Sequence, residues 1–187
     1  MRQVRTIEAA REWLERVGYA PMAANIEGHV SLVEAITGER LKKSWWGHKD
    51  GKLIFAIASE LEDEALGMKL LEGKMTLVHR RLWADVLAVV TGEDFRLPLA
   101  SSLSKRANAL YEQVWDDGPV QGADKIATEE LERKLLLHVT SVHTAKGRHE
   151  KRLDTWERWA EQQHIPRPDK PQNDFRSLIS RLLITIL

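Results

Sequence analysis

The sequence predicts an α+β fold, mostly helical, on three observations. Apolar residues recur at helical spacing in several separate stretches, each with its own cap and stop signals. One pair of short apolar runs is divided by Glu72-Gly73, which marks a β-hairpin. No long alternation of strand and helix patterns appears, which argues against a doubly wound sheet or an α/β barrel.

The elements follow in order. Thr6 precedes Ile7, Ala10, Trp13, Leu14 and Val17, an amphipathic helix that Gly18 stops. Residues 19–30 lack a period and read as an ordered loop containing Pro21 and Gly28. Ser31 with Glu34 is a capping-box spacing for a short helix over 32–37, closed by Gly38. A turn-rich connector, 44–51, leads into a helix over 52–61 built on Leu53, Ile54, Phe55, Ile57 and Leu61. The hairpin is expected at 68–71 and 74–78, and a helix from about 81 to 90 stopped by Gly92. After a break at Pro98, Ser101 or Ser102 caps a helix through Leu103, Ala107, Leu110 and Val114, ended by Gly118. Thr128 is expected to cap another helix ending near Leu135. A strand over 136–142, a turn at Gly147 and a helix over 148–163 complete a further strand–turn–helix unit.

Helix, short helix, helix, hairpin and helix is the order of a winged-helix-like body, with the hairpin as the wing. At 187 residues the chain is read as a single domain over 1–165, with a candidate internal boundary at the polar loop 118–125. Residues 166–187 read as a proline-containing linker and an apolar C-terminal segment, which suits docking on the body or a homodimer contact.

Composition narrows the chemistry. With 43% hydrophobic and 30% charged residues, a packed core is expected rather than global disorder. The absence of cysteine removes disulfides, thiolate metal sites and cysteine nucleophiles, and suits a cytoplasmic setting. Residues 1–6 carry two arginines and no apolar stretch, so a secretory signal is not expected. No apolar run nears the roughly 18 residues of a membrane span.

The net charge is zero, but it is unevenly distributed. Residues 42–52 carry +3, 74–83 carry +3 and 138–159 carry +2, leaving −8 for the remainder. The same three segments hold five of the seven tryptophans and five of the seven histidines. Aromatic rings interleaved with cations suit stacking on bases and contact with phosphates. In the first segment the candidates are Trp45, Trp46, His48 and Lys49, beside Lys42 and Lys43; the alternative is two indoles roofing the core. In the second they are His79, Arg80 and Arg81 at an expected helix start, where backbone donors would add to an anion site; the alternative is a capping histidine and an arginine paired with the acidic run 60–64. In the third, Lys146 and Arg148 lie between His143 and His149 at an expected helix start, which would form an anion or phosphate site; the two histidines could act as general acid and base, bind a metal with a carboxylate such as Glu150 or Asp154, or remain structural histidines. The histidine spacing matches no metal signature, and no nucleotide, dinucleotide or serine-hydrolase motif occurs, so no cofactor is expected.

The chain resembles a family of bacterial proteins without an assigned activity. The resemblance rests on Ser31-Leu32-Val33-Glu34-Ala35-Ile36-Thr37-Gly38, on Ser44-Trp45-Trp46 with His48, and on Val78-His79-Arg80-Arg81-Leu82-Trp83. It continues in His143-Thr144, Gly147, His149, Leu153 and Trp156. That family is distantly similar to winged-helix proteins of DNA transactions, among them bacterial DNA glycosylases. The resemblance implies a shared fold and a shared polar face; no glycosylase catalytic motif is present to carry an activity across. The leading expectation is therefore a DNA-associated protein. The alternatives are a small hydrolase or transferase acting on an anionic or phosphorylated substrate through His143 and His149, and an interaction module or homodimer. Contact with a membrane is not expected.

Overall fold

A computed structural model describes residues 3–143 and 149–166. The chain is mixed α and β: the described residues hold eight α-helices and two three-stranded antiparallel sheets. They fall into two compact units, divided between Trp83 and Ala84. Among the described residues no helix is long and apolar enough to cross a membrane.

The first unit runs α1 (Ile7–Val17), β1 (Tyr19–Pro21), α2 (Leu32–Thr37), α3 (Gly51–Glu64), β2 (Leu66–Leu71) and β3 (Lys74–Val78). The expected caps form. Thr6 Oγ1 accepts from the Ala9 amide and Ser31 Oγ from the Glu34 amide, while Gly18 and Gly38 end their helices at positive φ. The hairpin also forms, with Glu72 at φ 48° and Gly73 at φ 67°, both central residues left-handed as a two-residue hairpin turn requires. The region 19–30 departs from expectation, because Tyr19–Pro21 pairs with β3 to give the sheet order β1-β3-β2. A three-residue edge strand ending in proline is too short to show alternation. Trp13, Leu14, Leu32, Ile36, Ile54, Ile57, Leu61 and Leu77 form the core beneath this sheet.

The second unit holds α4 (Trp83–Val90, entered from the first unit), α5 (Glu93–Ser101), α6 (Lys105–Asp117), β4 (Val120–Gln121), α7 (Lys125–Arg133), β5 (His138–His143), β6 (His149–Asp154) and α8 (Trp156–Gln162). Four expectations are corrected here. Pro98 lies inside α5 rather than breaking the chain. Phe95 and Leu99, one turn apart and both buried, hold the helix through it, and only its last turn follows the proline. The cap of α6 is Ser104, whose hydroxyl accepts from the Ala107 amide and donates to Glu130. Asp124 rather than Thr128 caps α7, leaving Thr128 buried within the first turn. The helix expected over 148–163 is instead a strand and a shorter helix. β6 lies between β4 and β5, with Leu153 opposite both Val120 and Val139, and Thr155 caps α8. Leu153, Trp156 and Ala160 suit a helical stripe, but the same burial is met by a central strand followed by a helix, and sheet pairing prevails over local propensity. Residues 118–125 lie inside this unit and supply β4. The proposed linker and apolar tail, beyond residue 166, lie outside the described residues.

An aromatic cluster closes the second unit's core. The buried His138 ring stacks on Trp159 at 4.8 Å between centroids and meets Trp156 edge-on at 5.2 Å. Trp156 Nε1 donates to the Leu135 carbonyl. Burial pushes the His138 imidazole down to about 4, against the raising influence of Asp154 and with a smaller lowering one from Arg152. Asp154 itself accepts from the Thr155 amide and from Arg158 Nε. Arg158 also donates to the carbonyls of Trp115 and Val114 at the end of α6.

Two outcomes follow. Glu72→Asn places a residue that tolerates left-handed backbone in the hairpin turn, and raises the unfolding free energy by up to about 1 kcal/mol, read as a higher denaturant midpoint with an unchanged m-value. For His138 the folded imidazole binds its proton more weakly than the unfolded one. The stability from its neutral form is therefore complete above the ordinary pKa of 6.5 and is lost as pH falls towards about 4. His138→Phe keeps the ring stack and removes this dependence, so equilibrium unfolding at pH 7 and pH 4 differs by roughly 2–3 kcal/mol less than in the wild type.

Candidate nucleic-acid interface

The Trp-Trp turn is set by local chemistry. Trp45–Gly47 forms one 3-10 turn, with Ser44 Oγ accepting from the Trp46 amide at 3.5 Å and the His48 amide returning to the Trp45 carbonyl at 2.9 Å. The indoles stack on each other, their centroids 4.1 Å apart and their planes 23° apart. Trp45 packs partly buried against the first unit's core, whereas Trp46 is 67% exposed. The two readings of this motif thus divide between its two residues: Trp45 roofs the core and Trp46 faces solvent. Phe55 of α3, 54% exposed, lies 5.9 Å from Trp46 and extends the aromatic surface. Sequence reasoning counted Phe55 with the apolar run. The signal that separates it is the stripe Ile54, Ile57, Ala58 and Leu61, which buries one face of α3 and leaves Phe55 off it.

His48 fastens this turn rather than offering a free imidazole. Its Nδ1 accepts from the Asp50 amide at 3.1 Å, and Nε2 lies 3.4 Å from Glu39 Oε1. The hydrogen-bond pattern assigns the proton to Nε2. Asp50 stands at the N-cap of α3 without making a cap bond, and Arg5 Nη2 donates to its carboxylate at 3.0 Å. The Arg5 guanidinium holds the Asp50 carboxyl below its usual range, against a smaller opposing effect of burial. Gly51 suits the close approach of the turn: a Cβ there would lie 3.2 Å from the Trp46 carbonyl oxygen and 3.3 Å from that of Trp45. Lys42, Lys43, Lys49 and Lys52 surround the turn in the chain, are all exposed, and make no ion pair among the described residues.

The second segment is built differently. His79 caps a 3-10 turn, Arg80–Leu82, its Nδ1 accepting from the Arg81 amide at 3.3 Å. Burial lowers the His79 pKa, Glu15 opposes this, and Arg81 adds a smaller lowering effect. Arg81 closes the C-terminal end of α1: Nε donates to the Glu15 carbonyl at 2.7 Å and Nη2 to that of Arg16 at 3.4 Å. Its guanidinium is therefore spent on helix carbonyls rather than on the acidic run 60–64, where Arg11 pairs with Glu64 instead. Arg80 is exposed and lies over the Trp83 ring at 5.7 Å, while Trp83 Nε1 donates to the Val78 carbonyl at 3.0 Å.

These two segments lie at opposite ends of α1. Arg5, just before the helix, binds Asp50 beside the Trp turn, and Arg81 covers the carbonyls at the far end. A helix of 11 residues spans about 16 Å, so no compact ligand reaches both. An open groove of about 470 Å³ lies between α1 and α3, lined by Thr6, Ile7, Arg11, Leu53, Ala56, Ile57 and Glu60. It contains no histidine and so is not the acid–base pocket of the enzymatic alternative.

In the second unit His143 and His149 occupy directly opposed positions of the β5–β6 ladder. His149 therefore belongs to a strand, and the helix start expected beside it as an anion site is absent; the next helix begins at Trp156. Lys146 and Arg148 lie outside the described residues. Among the described residues no group of three or more His, Asp or Glu is placed to hold a metal ion.

Comparison with known proteins places these features in a lineage. No curated protein and no solved structure matches the chain. A family model described as AlkZ related matches residues 4–155, a span that includes both the Trp-Trp turn and the His-Arg-Arg turn and most of the second unit. The chain belongs to the AlkZ-related family.

Proposed function

We propose that the protein is a DNA-associated protein that binds the nucleic-acid backbone through the lysines around the Trp turn, with Arg80 extending the surface. The observation that carries this reading is the combination of an exposed tryptophan with four exposed lysines on one short segment, in a chain whose net charge is zero. Lysines without ion pairs in the fold can neutralise phosphates and release condensed counterions. Membership of the AlkZ-related family agrees, since AlkZ is a DNA-repair, glycosylase-like protein.

The first unit supports the reading further. Its order, helix, short strand, helix, helix and hairpin, with the first strand laid on the hairpin, agrees with reading it as a winged-helix-like unit, in which β2–β3 would be the wing. The roles of the candidate residues then separate. Trp46, Lys49 and Arg80 would meet the ligand, whereas Trp45, His48, His79 and Arg81 hold the surface in shape through the bonds described above. A site 16 Å or so in extent suits a polymer better than a small molecule.

Titration of a fluorescein-labelled oligonucleotide by anisotropy tests this. Affinity is expected to fall steeply with salt, giving a straight line of log K against log salt concentration. Replacing Lys43 and Lys49 by Gln weakens binding and lowers the slope by about one to two. No affinity at low salt, or an affinity indifferent to salt, defeats the proposal.

A further inference from the structure

Within that reading, we infer that the Trp46 platform binds an unpaired base, so the preferred ligand is single-stranded or locally opened nucleic acid rather than intact duplex. The inference rests on the nucleic-acid reading above and on three further features of the first unit.

The first is the geometry of the indole. Stacking on Trp45 covers one face of Trp46, and with 67% of the residue exposed much of its remaining ring surface is accessible beside the tilted Phe55 ring. An open aromatic face is complementary to the face of a base. In a duplex those faces are already stacked on their neighbours, so only an unstacked base can meet it.

The second is rigidity. Trp46 is held by the Trp45 ring, by the Ser44 hydroxyl on its amide, and by the turn that the His48 amide closes on the Trp45 carbonyl. The His48–Asp50–Arg5 chain of bonds ties the turn to the start of α1. Little rotamer freedom remains to be lost on binding.

The third is the charge of α3. In a helix-turn-helix arrangement the second helix enters the major groove. Here that helix would be α3, and over Gly51–Glu64 it carries Lys52 against Glu60, Glu62, Asp63 and Glu64. The acidic residues occupy its C-terminal half and are exposed. Such a helix repels the two phosphate ridges that flank a groove. Its basic and aromatic N-terminal end, with Lys52, Phe55 and the neighbouring Trp46, favours a strand that passes over the turn instead. Lys42, Lys43 and Lys49 are placed in the chain to meet the phosphates on either side of a stacked base.

The test compares the full chain with Trp46→Ala and Trp46→Phe on three labelled probes: an oligothymidine of roughly 16 nucleotides, a duplex of the same length, and the single strand with its central bases replaced by abasic sites. Wild type is expected to bind the oligothymidine more tightly than the duplex. Trp46→Ala loses about five- to 100-fold on the oligothymidine, Trp46→Phe retains most of the affinity, and neither changes binding to the abasic strand or the duplex appreciably. Because Trp46 lies at the surface, circular dichroism and the Phe variant separate loss of the ring from loss of fold. If wild type binds but Trp46→Ala stays within about twofold on the oligothymidine, the platform idea is overturned while the lysine-based DNA reading stands. If wild type binds none of the probes, the DNA reading fails and this one with it. If the chain instead self-associates and Trp46→Ala dissolves the assembly, the platform is a protein contact and the inference is wrong.

Discussion

The first unit depends on how the C-terminal end of α1 is closed. A helix leaves its last carbonyls without partners, and here those of Leu14, Glu15 and Arg16 find specific donors. The Gly18 amide returns to Leu14, Arg81 Nε and Nη2 take Glu15 and Arg16, and the Gly18 carbonyl accepts from the His79 amide. Gly18 sits at φ 82°, and a Cβ on it would come within 2.7 Å of Arg81 Nη2. One junction thereby ties α1 to the end of β3 and fixes the direction in which β1 leaves the helix to pair with β3. The cost is that a guanidinium from the most basic turn of the unit serves structure. Arg80, one residue earlier, carries the exposed charge.

At the other end of α1 a different constraint acts. Two adjacent tryptophans on a single 3-10 turn cannot both enter the core, because the turn has one inward side. Trp45 takes it, and Trp46 is stacked outside and exposed. An exposed indole forfeits the apolar burial that normally stabilises this side chain, on the order of 2–3 kcal/mol for a large aromatic. The turn is nonetheless rigidly built, with His48, Asp50, Arg5 and Gly51 all committed to its shape.

Much of this was legible in the residues themselves. Thr6, Ser31, Gly18 and Gly38 mark helix ends by local chemistry that operates regardless of tertiary context, and the Glu72-Gly73 turn is likewise local. What eluded the sequence is non-local. β1 is a strand only because β3 lies beside it, and β6 is a strand only because β4 and β5 flank it. Its residues Glu150, Lys151 and Arg152 are good helix formers, so propensity alone points the wrong way. Pro98 misleads for the same reason, since two buried neighbours carry a helix across it. In the candidate site, the basic aromatic segments were visible as composition, but their division of labour was not. Whether an arginine binds phosphate or a helix end depends on which carbonyls stand within 3 Å or so of its guanidinium, and spacing in the chain does not encode that.

The charge pattern of the first unit follows from these placements. Arg5 and Arg11 are balanced by the carboxylates of Asp50 and Glu64, and Arg81 is committed to the carbonyls at the end of α1, so these arginines shape the body. The lysines around the Trp turn have no such engagements among the described residues. Lysine is a strongly hydrated point charge on a flexible stem, suited to following a mobile backbone of phosphates, whereas arginine's fixed fork suits the rigid bidentate bonds it makes here to Glu64. The distribution of the two cations therefore matches two tasks, one holding the fold and the other facing solvent. The acidic end of α3 sharpens the contrast, since the cations of the Trp turn and the carboxylates of Glu60, Glu62 and Asp63 lie at opposite ends of one helix. Under the proposed function, such a gradient would orient a flexible strand across the indole face more readily than it would seat a rigid duplex along α3.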